Sequence, residues 1–357
     1  MAALSDCRAP IWSIQDGDTT PHVFENAITR LRAKESTIEV VYASHNWPPS
    51  LSFPDDGGGM DSYRVAVLDS SFNPPTRAHL ALALAAVSPS SACIATLLLL
   101  SVRNADKQLK PGDASHVQRL QMMVLLAQEI ERIISARNGD SQTTTWLRGD
   151  SSKHCVAVAA IDEPTFVGKS SILIDHLSKN AEPSSPPLSV PTPRLTFILG
   201  WDTIIRFFDP KYYPSLPAMS DALHRFFGKE RSAILCARRP ESAGSDEEVR
   251  MEDRERSFFA SENVRSFVEL DSTSIQMIDI GAAEVAVSST LVRRGIAAGI
   301  NGENGGWREM TITSVAKFIE AKQLYTGSGA PLRVGQFTHR LWIGYLTLKL
   351  VQVIETR

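Results

Sequence analysis

From Arg64 onward, short runs of consecutive apolar residues alternate with longer stretches in which apolar positions recur every three or four residues. The short runs are 64–69 (RVAVLD), 94–101 (IATLLLLS), 155–160 (CVAVAA), 195–200 (LTFILG), 232–237 (SAILCA) and 275–280 (IQMIDI). Near-continuous hydrophobicity over so few residues predicts strands buried on both faces. Between them Val117, Leu120, Val124, Ala127, Ile130 and Ile134 keep the period of an amphipathic helix. A second helix is predicted over 168–178, and a third from Thr290 to a glycine stop at Gly299. Strand and helix in regular alternation build βαβ units, so the predicted fold is α/β, a doubly wound parallel sheet in one domain with insertions.

The pattern changes at four places. Residues 1–60 predict an N-terminal extension holding one helix near 22–34 and one strand, TIEVVYA, followed by a Gly/Asp/Pro cluster. The main domain is expected over 61–325. Within it, 180–194 (NAEPSSPPLSVPTPR) is too rich in Pro and Ser to continue a helix or an inner strand and reads as a flexible loop. Residues 238–256 carry dense charge of both signs and predict a solvated loop or exposed helix. Residues 326–357 open on a Gly/Ser hinge and continue into a Leu/Ile/Val-rich run, either an added packing helix or an element that meets a protein partner or a second copy of the chain. No repeat at solenoid spacing occurs.

Composition fits a large packed core, with 43% hydrophobic and 22% charged residues. The 37 basic and 40 acidic residues leave a net charge of -3, so no global positive field recruits nucleic acid or an anionic membrane, and any phosphate binding has to be local. Cys7, Cys93, Cys155 and Cys236 are scattered without metal-ligand spacing, which predicts free thiols in a reducing compartment, the cytoplasm and also the nucleus. No basic start followed by an apolar run is present, so secretion is not expected, and the apolar stretches fall short of a membrane span.

Candidate chemistry begins at VAVLDSSFNPPTRAHLALALAAV, residues 65–87. In an open parallel sheet, ligands bind beyond the carboxyl ends of the strands, where loops lead into helix starts. Here a strand ends, Pro74 and Pro75 fix an extended path, Thr76 can cap the next helix, and His79 projects from its first turn. Free backbone N–H groups at such a start suit phosphate oxygens. An ordinary strand-to-helix turn would use the same residues, so this segment alone leaves both readings open. A second constellation, VSSTLVRRG at 287–295, sets Ser288, Ser289 and Thr290 at a helix start with Arg293 and Arg294 one turn in. Alone it is an ordinary cap, but two candidate anion sites in one α/β chain reinforce each other.

Together SSFNPPTRAH and VSSTLVRR resemble the two signature motifs of the nucleotidylyltransferase superfamily, with its Rossmann-like fold. Within it the sequence is most similar to the nicotinamide mononucleotide adenylyltransferases, in particular a divergent fungal branch, over about residues 64–325. LGWDTIIRFFDPKYY and the terminal VAKFIEAKQLY belong to the same resemblance. One position departs from it: most relatives open the first motif with glycine, where this chain has Ser70 after Asp69, and the added Cβ narrows backbone approach to a phosphate.

The resemblance implies adenylyl transfer from ATP to nicotinamide mononucleotide, giving NAD and pyrophosphate. Other phosphomonoester acceptors, nicotinate mononucleotide among them, or a regulatory nucleotide-binding role with low turnover, are the alternatives. His79, Thr76 and Arg293 would be catalytic. ATP would be met by Ser70, Ser71, Phe72, His79, Lys107, Gly200, Asp202, Ser288, Ser289, Thr290 and Arg293. Phe166, Tyr212 and Tyr213 lie where relatives stack aromatics on nicotinamide, although core packing is the commoner role for a residue such as Phe166. Mg²⁺ would travel on ATP oxygens and waters, because the motifs carry no clustered carboxylates to cage it and no protein metal ligand is assigned.

Overall fold

The computed structural model describes residues 20–44, 47–49, 62–87, 93–103, 111–139, 154–179, 192–238, 245–270, 274–299 and 306–326. Two units are distinguished, Met1–Thr326 and Gly327–Arg357, and every described residue lies in the first. Seven strands are described: β1 (Ile38–Ala43), β2 (Ser62–Asp69), β3 (Cys93–Ser101), β4 (Cys155–Ile161), β5 (Thr192–Gly200), β6 (Ala233–Ala237) and β7 (Ile275–Ile278). They form one sheet in the order β1-β4-β3-β2-β5-β6-β7. All neighbours run parallel except β1, which lies antiparallel on the β4 edge. The chain builds outward from β2 through β3 to β4, then crosses back to set β5 on the other side of β2. The strand order therefore reverses between β2 and β5, where a doubly wound sheet opens its ligand crevice.

Alternation along β2 explains why its sequence reads as unbroken apolar. Ala66 and Leu68 enter one core and Val65 and Val67 the other. The first core is closed by α1 (Thr20–Arg32), α2 (Arg77–Ala85), α3 (His116–Gly139), α10 (Ser289–Ala297) and α11 (Thr313–Ala321). The second is closed by α4 (Phe166–Lys179), α5 (Trp201–Phe207), α6 (Leu216–Leu223) with the π-helical turn His224–Lys229, α7 (Ser245–Ala260) and α8 (Glu262–Leu270). A short α9 (Ala282–Val285) precedes α10.

Two boundaries differ from the sequence reading. The segment expected as an N-terminal extension is built into the domain: Phe24, Ala27, Ile28 and Leu31 bury one face of α1 in the first core, and β1 supplies the sheet edge. Their spacing is that of a buried helical stripe. Strand β5 begins at Thr192, inside the predicted Pro-rich loop, with Pro193 opposite Tyr63 at the start of the ladder, where a missing N–H is tolerated. The rest of that loop, 180–191, lies outside the described residues, as does 327–357. The charged segment contains most of α7, and Arg238 just past β6 is held by Glu255 of that helix at 2.6 Å and by Asp279 at 3.0 Å.

Candidate active site at the carboxyl ends of β2 and β5

Residues 70–76 join β2 to α2 at the switch point. This loop belongs to no sheet, yet its carbonyls are held one after another by side chains distant in sequence. Arg119 Nη1 donates to the Ser71 carbonyl at 3.4 Å, Arg293 Nη1 to that of Asn73 at 2.5 Å, Ser289 Oγ to that of Pro74 at 2.7 Å and Thr311 Oγ1 to that of Pro75 at 2.6 Å. The Asn73 side chain adds a buried hub. Its amide donates to Asp113 at 2.7 Å, while its oxygen accepts from the Tyr325 hydroxyl at 2.8 Å and from the Ala114 N–H at 3.2 Å. Asp113 lies 3.6 Å from Arg119 and 3.9 Å from Arg293. Burial lowers the Arg119 pKa from its ordinary value, while Asp113 opposes the shift.

This geometry presets the loop. Phe72 has φ +43, a left-handed conformation unusual for a bulky residue, and the surrounding clamps hold it there. Its ring is fully buried and packs on the His79 ring, with centroids 5.0 Å apart. The Phe72 side chain is thus taken up by the core, which limits any ligand contact to its backbone. The trans peptide between Ser71 and Phe72 sets the Phe72 N–H opposite to the carbonyl that Arg119 holds.

His79 stands at the third position of α2 and is fixed from both ends. Its Nδ1 accepts from the Thr76 N–H at 3.1 Å and lies 2.8 Å from the Thr76 hydroxyl. This is the reciprocal half of a capping box, with imidazole where glutamate or glutamine usually reaches back. Since Nδ1 is an acceptor, the neutral ring carries its proton on Nε2, and that N–H donates to Ser70 Oγ at 2.9 Å. Burial pushes the His79 pKa down to about 4, and the residue as a whole is partly exposed. Both the Thr76 N–H at Nδ1 and the lowered pKa favour a neutral ring that donates from Nε2.

The second motif meets the first. Ser288 caps α10 by accepting the Leu291 N–H at 3.3 Å, Ser289 and Arg293 grip the first loop as described, and Arg293 Nη2 lies 3.4 Å from Thr290 Oγ1. The Arg293 side chain remains 31% exposed, so its guanidinium both ties the loop and presents an edge to solvent. Gly200 ends β5 across the crevice and caps α5 with an ordinary negative φ of -89. A Cβ built there meets nothing within 4 Å, so neither strain nor internal packing requires glycine. Glycine is favoured over alanine at an N-cap, and here it leaves the strand end open. Asp202 is exposed in the first turn of α5.

Of the predicted acceptor aromatics, Phe166 and Tyr213 pack against the second core, and Tyr212 is partly exposed. Phe166 sits edge-on to Phe197 at 5.8 Å and near Phe207 at 6.1 Å, with Lys169 Nζ 4.9 Å from its centroid. Lys169 in turn forms a buried ion pair with Asp69 at the end of β2. Tyr213 donates to the Phe207 carbonyl at 2.8 Å, and burial pushes its pKa up to about 12. Tyr212 carries Lys211 4.9 Å from its ring centroid. Lys107 lies outside the described residues. Sequence reading missed Asn73, Asp113, Arg119, Thr311 and Tyr325 as supports of the loop. Arg119 gave the only local signal, a charged residue beside Leu120 on the apolar flank of α3.

A mostly parallel sheet whose switch-point loop presents a capped histidine, clamped by an arginine-bearing helix start, defines a doubly wound α/β protein with its candidate site at the switch point. No protein-family model matches the chain. The "Putative nicotinamide mononucleotide adenylyltransferase" of Schizosaccharomyces pombe is 28% identical over 263 residues, 73% of this chain and 86% of that protein. Over that span the chain is similar to this fungal protein. Two structures of Plasmodium falciparum nicotinic acid mononucleotide adenylyltransferase, complexed with NaAD and with APC, each cover 74% of this chain and 97% of their own. Their TM-scores are 0.40 and 0.41 at 13% and 14% identity, so the fold assignment rests on strand order instead.

Proposed function

We propose that the chain transfers the adenylyl group of ATP to nicotinamide mononucleotide, giving NAD and pyrophosphate. The observation that carries this reading is His79, held by Thr76 with its N–H at Nε2, on a preset loop beside the sheet's switch point. A 5′-phosphate oxygen of the mononucleotide attacks the α-phosphorus of ATP, a P–O bond forms, and the bond to the bridging oxygen breaks as pyrophosphate leaves. The attacking phosphate is already an anion, so no side chain has to activate it. Positioning and neutral donors aimed at the charge that accumulates do the catalytic work.

In this reading Thr76 orients His79, and the His79 donor together with the backbone at Ser70, Ser71 and Phe72 meets the triphosphate. Arg293 faces the leaving pyrophosphate, aided by Ser288, Ser289 and Thr290 at the start of α10. Gly200 lets ATP approach the strand end, and Asp202 accepts ribose hydroxyls. Lys107 adds a phosphate contact and Phe166, Tyr212 and Tyr213 the acceptor pocket, on the resemblance alone. Among the described residues, no group of three His, Cys, Asp or Glu side chains is placed to hold a metal ion. On the resemblance, Mg²⁺ would accompany the ATP phosphates and supply charge neutralisation there, and no step is assigned to it.

The scattered cysteines of the sequence are the ground for placing the protein in the cytoplasm or nucleus. Purified protein supplied with ATP and either nicotinamide or nicotinate mononucleotide tests the function. Pyrophosphate release matched by NAD formation is expected with the amide. Preference for nicotinate would reassign the acceptor, and ATP binding without turnover would favour the regulatory alternative.

A further inference from the structure

Ser70 is the first residue beyond β2, and its N–H continues the ladder by donating to the Leu99 carbonyl at 3.3 Å. The root of its side chain is therefore fixed relative to the sheet. The imidazole opposite is fixed as well, by Thr76 at Nδ1 and by the buried Phe72 ring on its face. Between these anchored groups runs a single hydrogen bond of 2.9 Å, with His79 Nε2–H donating and Ser70 Oγ accepting. The hydroxyl keeps its own O–H to donate, and both residues are partly accessible at the crevice.

We infer that Ser70 hands the histidine's hydrogen bond on to the phosphate, so that His79 Nε2–H donates to Ser70 Oγ and Ser70 Oγ–H donates to an ATP phosphate oxygen. This rests on the adenylyl-transfer reading and deepens it. A hydroxyl whose oxygen already accepts a hydrogen bond is a stronger donor, by about 10–30% per bond in such chains. A bond to an anionic oxygen is stronger again, about twice a neutral one. No proton changes owner, so the relay works with a neutral imidazole. The residue that departs from the usual glycine becomes the contacting group, and the histidine acts through it as a positioning residue.

The rival arrangement has the serine swing aside while His79 meets the phosphate itself, and the two differ in the sign of one measurement. Under the relay, Ser70→Ala and Ser70→Gly lower kcat by about 10²-fold, the effect of deleting one preorganised donor. KM for ATP rises as well, by about tenfold, because the bond to an anionic phosphate oxygen is already made in the ground state. Ser70→Thr, which keeps the hydroxyl, retains most of the turnover. If Ala or Gly equals or exceeds the parent in kcat, while melting normally, the relay is wrong.

An activity-independent readout separates this outcome from failure of the functional reading. In ¹⁵N-histidine spectra of the parent protein, His79 is expected to carry its proton on Nε2, with faster solvent exchange of that proton in Ser70→Ala. A proton on Nδ1 would overturn the relay even in an active enzyme. Should the parent release no pyrophosphate with either mononucleotide, the adenylyl-transfer reading falls. ATP binding by calorimetry then carries the comparison, with about tenfold weaker binding expected for Ser70→Ala, the size of one lost charge-assisted hydrogen bond, and unchanged binding counting against the relay.

Discussion

Histidine 79 has two separable duties in this structure, and one pair of substitutions divides them. Its Nδ1 accepts the Thr76 N–H at the helix start, and its Nε2 donates into the crevice. Asparagine carries its side-chain oxygen where imidazole carries Nδ1 and has nothing where imidazole carries Nε2. His79→Asn should therefore keep the cap and lose the donor, whereas His79→Ala loses both. Both variants forfeit the ring contact with Phe72, so that term cancels when they are compared with each other. Leaving the Thr76 N–H without its partner costs about 1–2 kcal/mol, the range for a lost cap. In a domain of this size that lowers Tm by roughly 2–6 °C for alanine relative to asparagine. Turnover should fall by about 10²–10³ in both, whether Nε2–H meets phosphate directly or through Ser70. Calorimetric melts and a pyrophosphate-coupled assay read the two duties independently. Equal melting of the two variants would refute the capping role, and near-parent turnover of folded His79→Asn would refute the donor.

Three further expectations follow from the same geometry. His79, His116 and His154 have folded pKa values lowered by burial to about 4, against about 6.5 unfolded. Their contribution to stability is complete above about pH 6.5 and is lost as pH falls toward 4. Urea midpoints should drop steeply across that window while kcat shows no histidine limb between pH 6 and 8, and a limb near 6.5 would mean that His79 titrates in the working enzyme. Gly200→Ala should fold with at most about 1 kcal/mol of lost capping, since its Cβ enters open space, and should raise KM for ATP; unchanged ATP kinetics would remove β5 from the nucleotide site. Arg293→Lys should lose loop stability and turnover together, because the planar fork that reaches the Asn73 carbonyl is gone, and a variant normal in both melt and turnover would show a surface residue.

The sheet was legible because buried parallel strands announce themselves as unbroken apolar runs, and five of six predicted runs fall within one or two residues of the observed strands at either end. The sixth, β5, begins three residues early because its first residues look like loop: Pro193 sits where the ladder has no need of its N–H. The edge strand β1 was visible as a strand, but its place beside β4 was not, since nothing local encodes an antiparallel partner more than a hundred residues away. The two motifs were legible as residues, and their meeting was not. That Ser289 and Arg293 reach the carbonyls of Pro74 and Asn73 is a fact about three dimensions.

The loop itself shows why the remainder was hidden. Two prolines remove backbone donors, so residues 70–76 cannot satisfy their carbonyls by any regular ladder. The carbonyls of Ser71, Asn73, Pro74 and Pro75 take donors from elsewhere, and the chain supplies Arg119 from α3, Arg293 and Ser289 from α10 and Thr311 just before α11. Apart from Arg119 on the apolar flank of α3, none of these residues signals in its own neighbourhood that it holds this loop. Their shared role appears only when the acceptors are counted first: a loop that gives up its internal hydrogen bonds to hold a histidine and a left-handed Phe72 in place must be held from outside. The same accounting gives Tyr325, at the end of the described chain, its function. Its hydroxyl completes the Asn73 hub, so the turn that follows α11 joins the first core and anchors the loop that carries His79 in a single step.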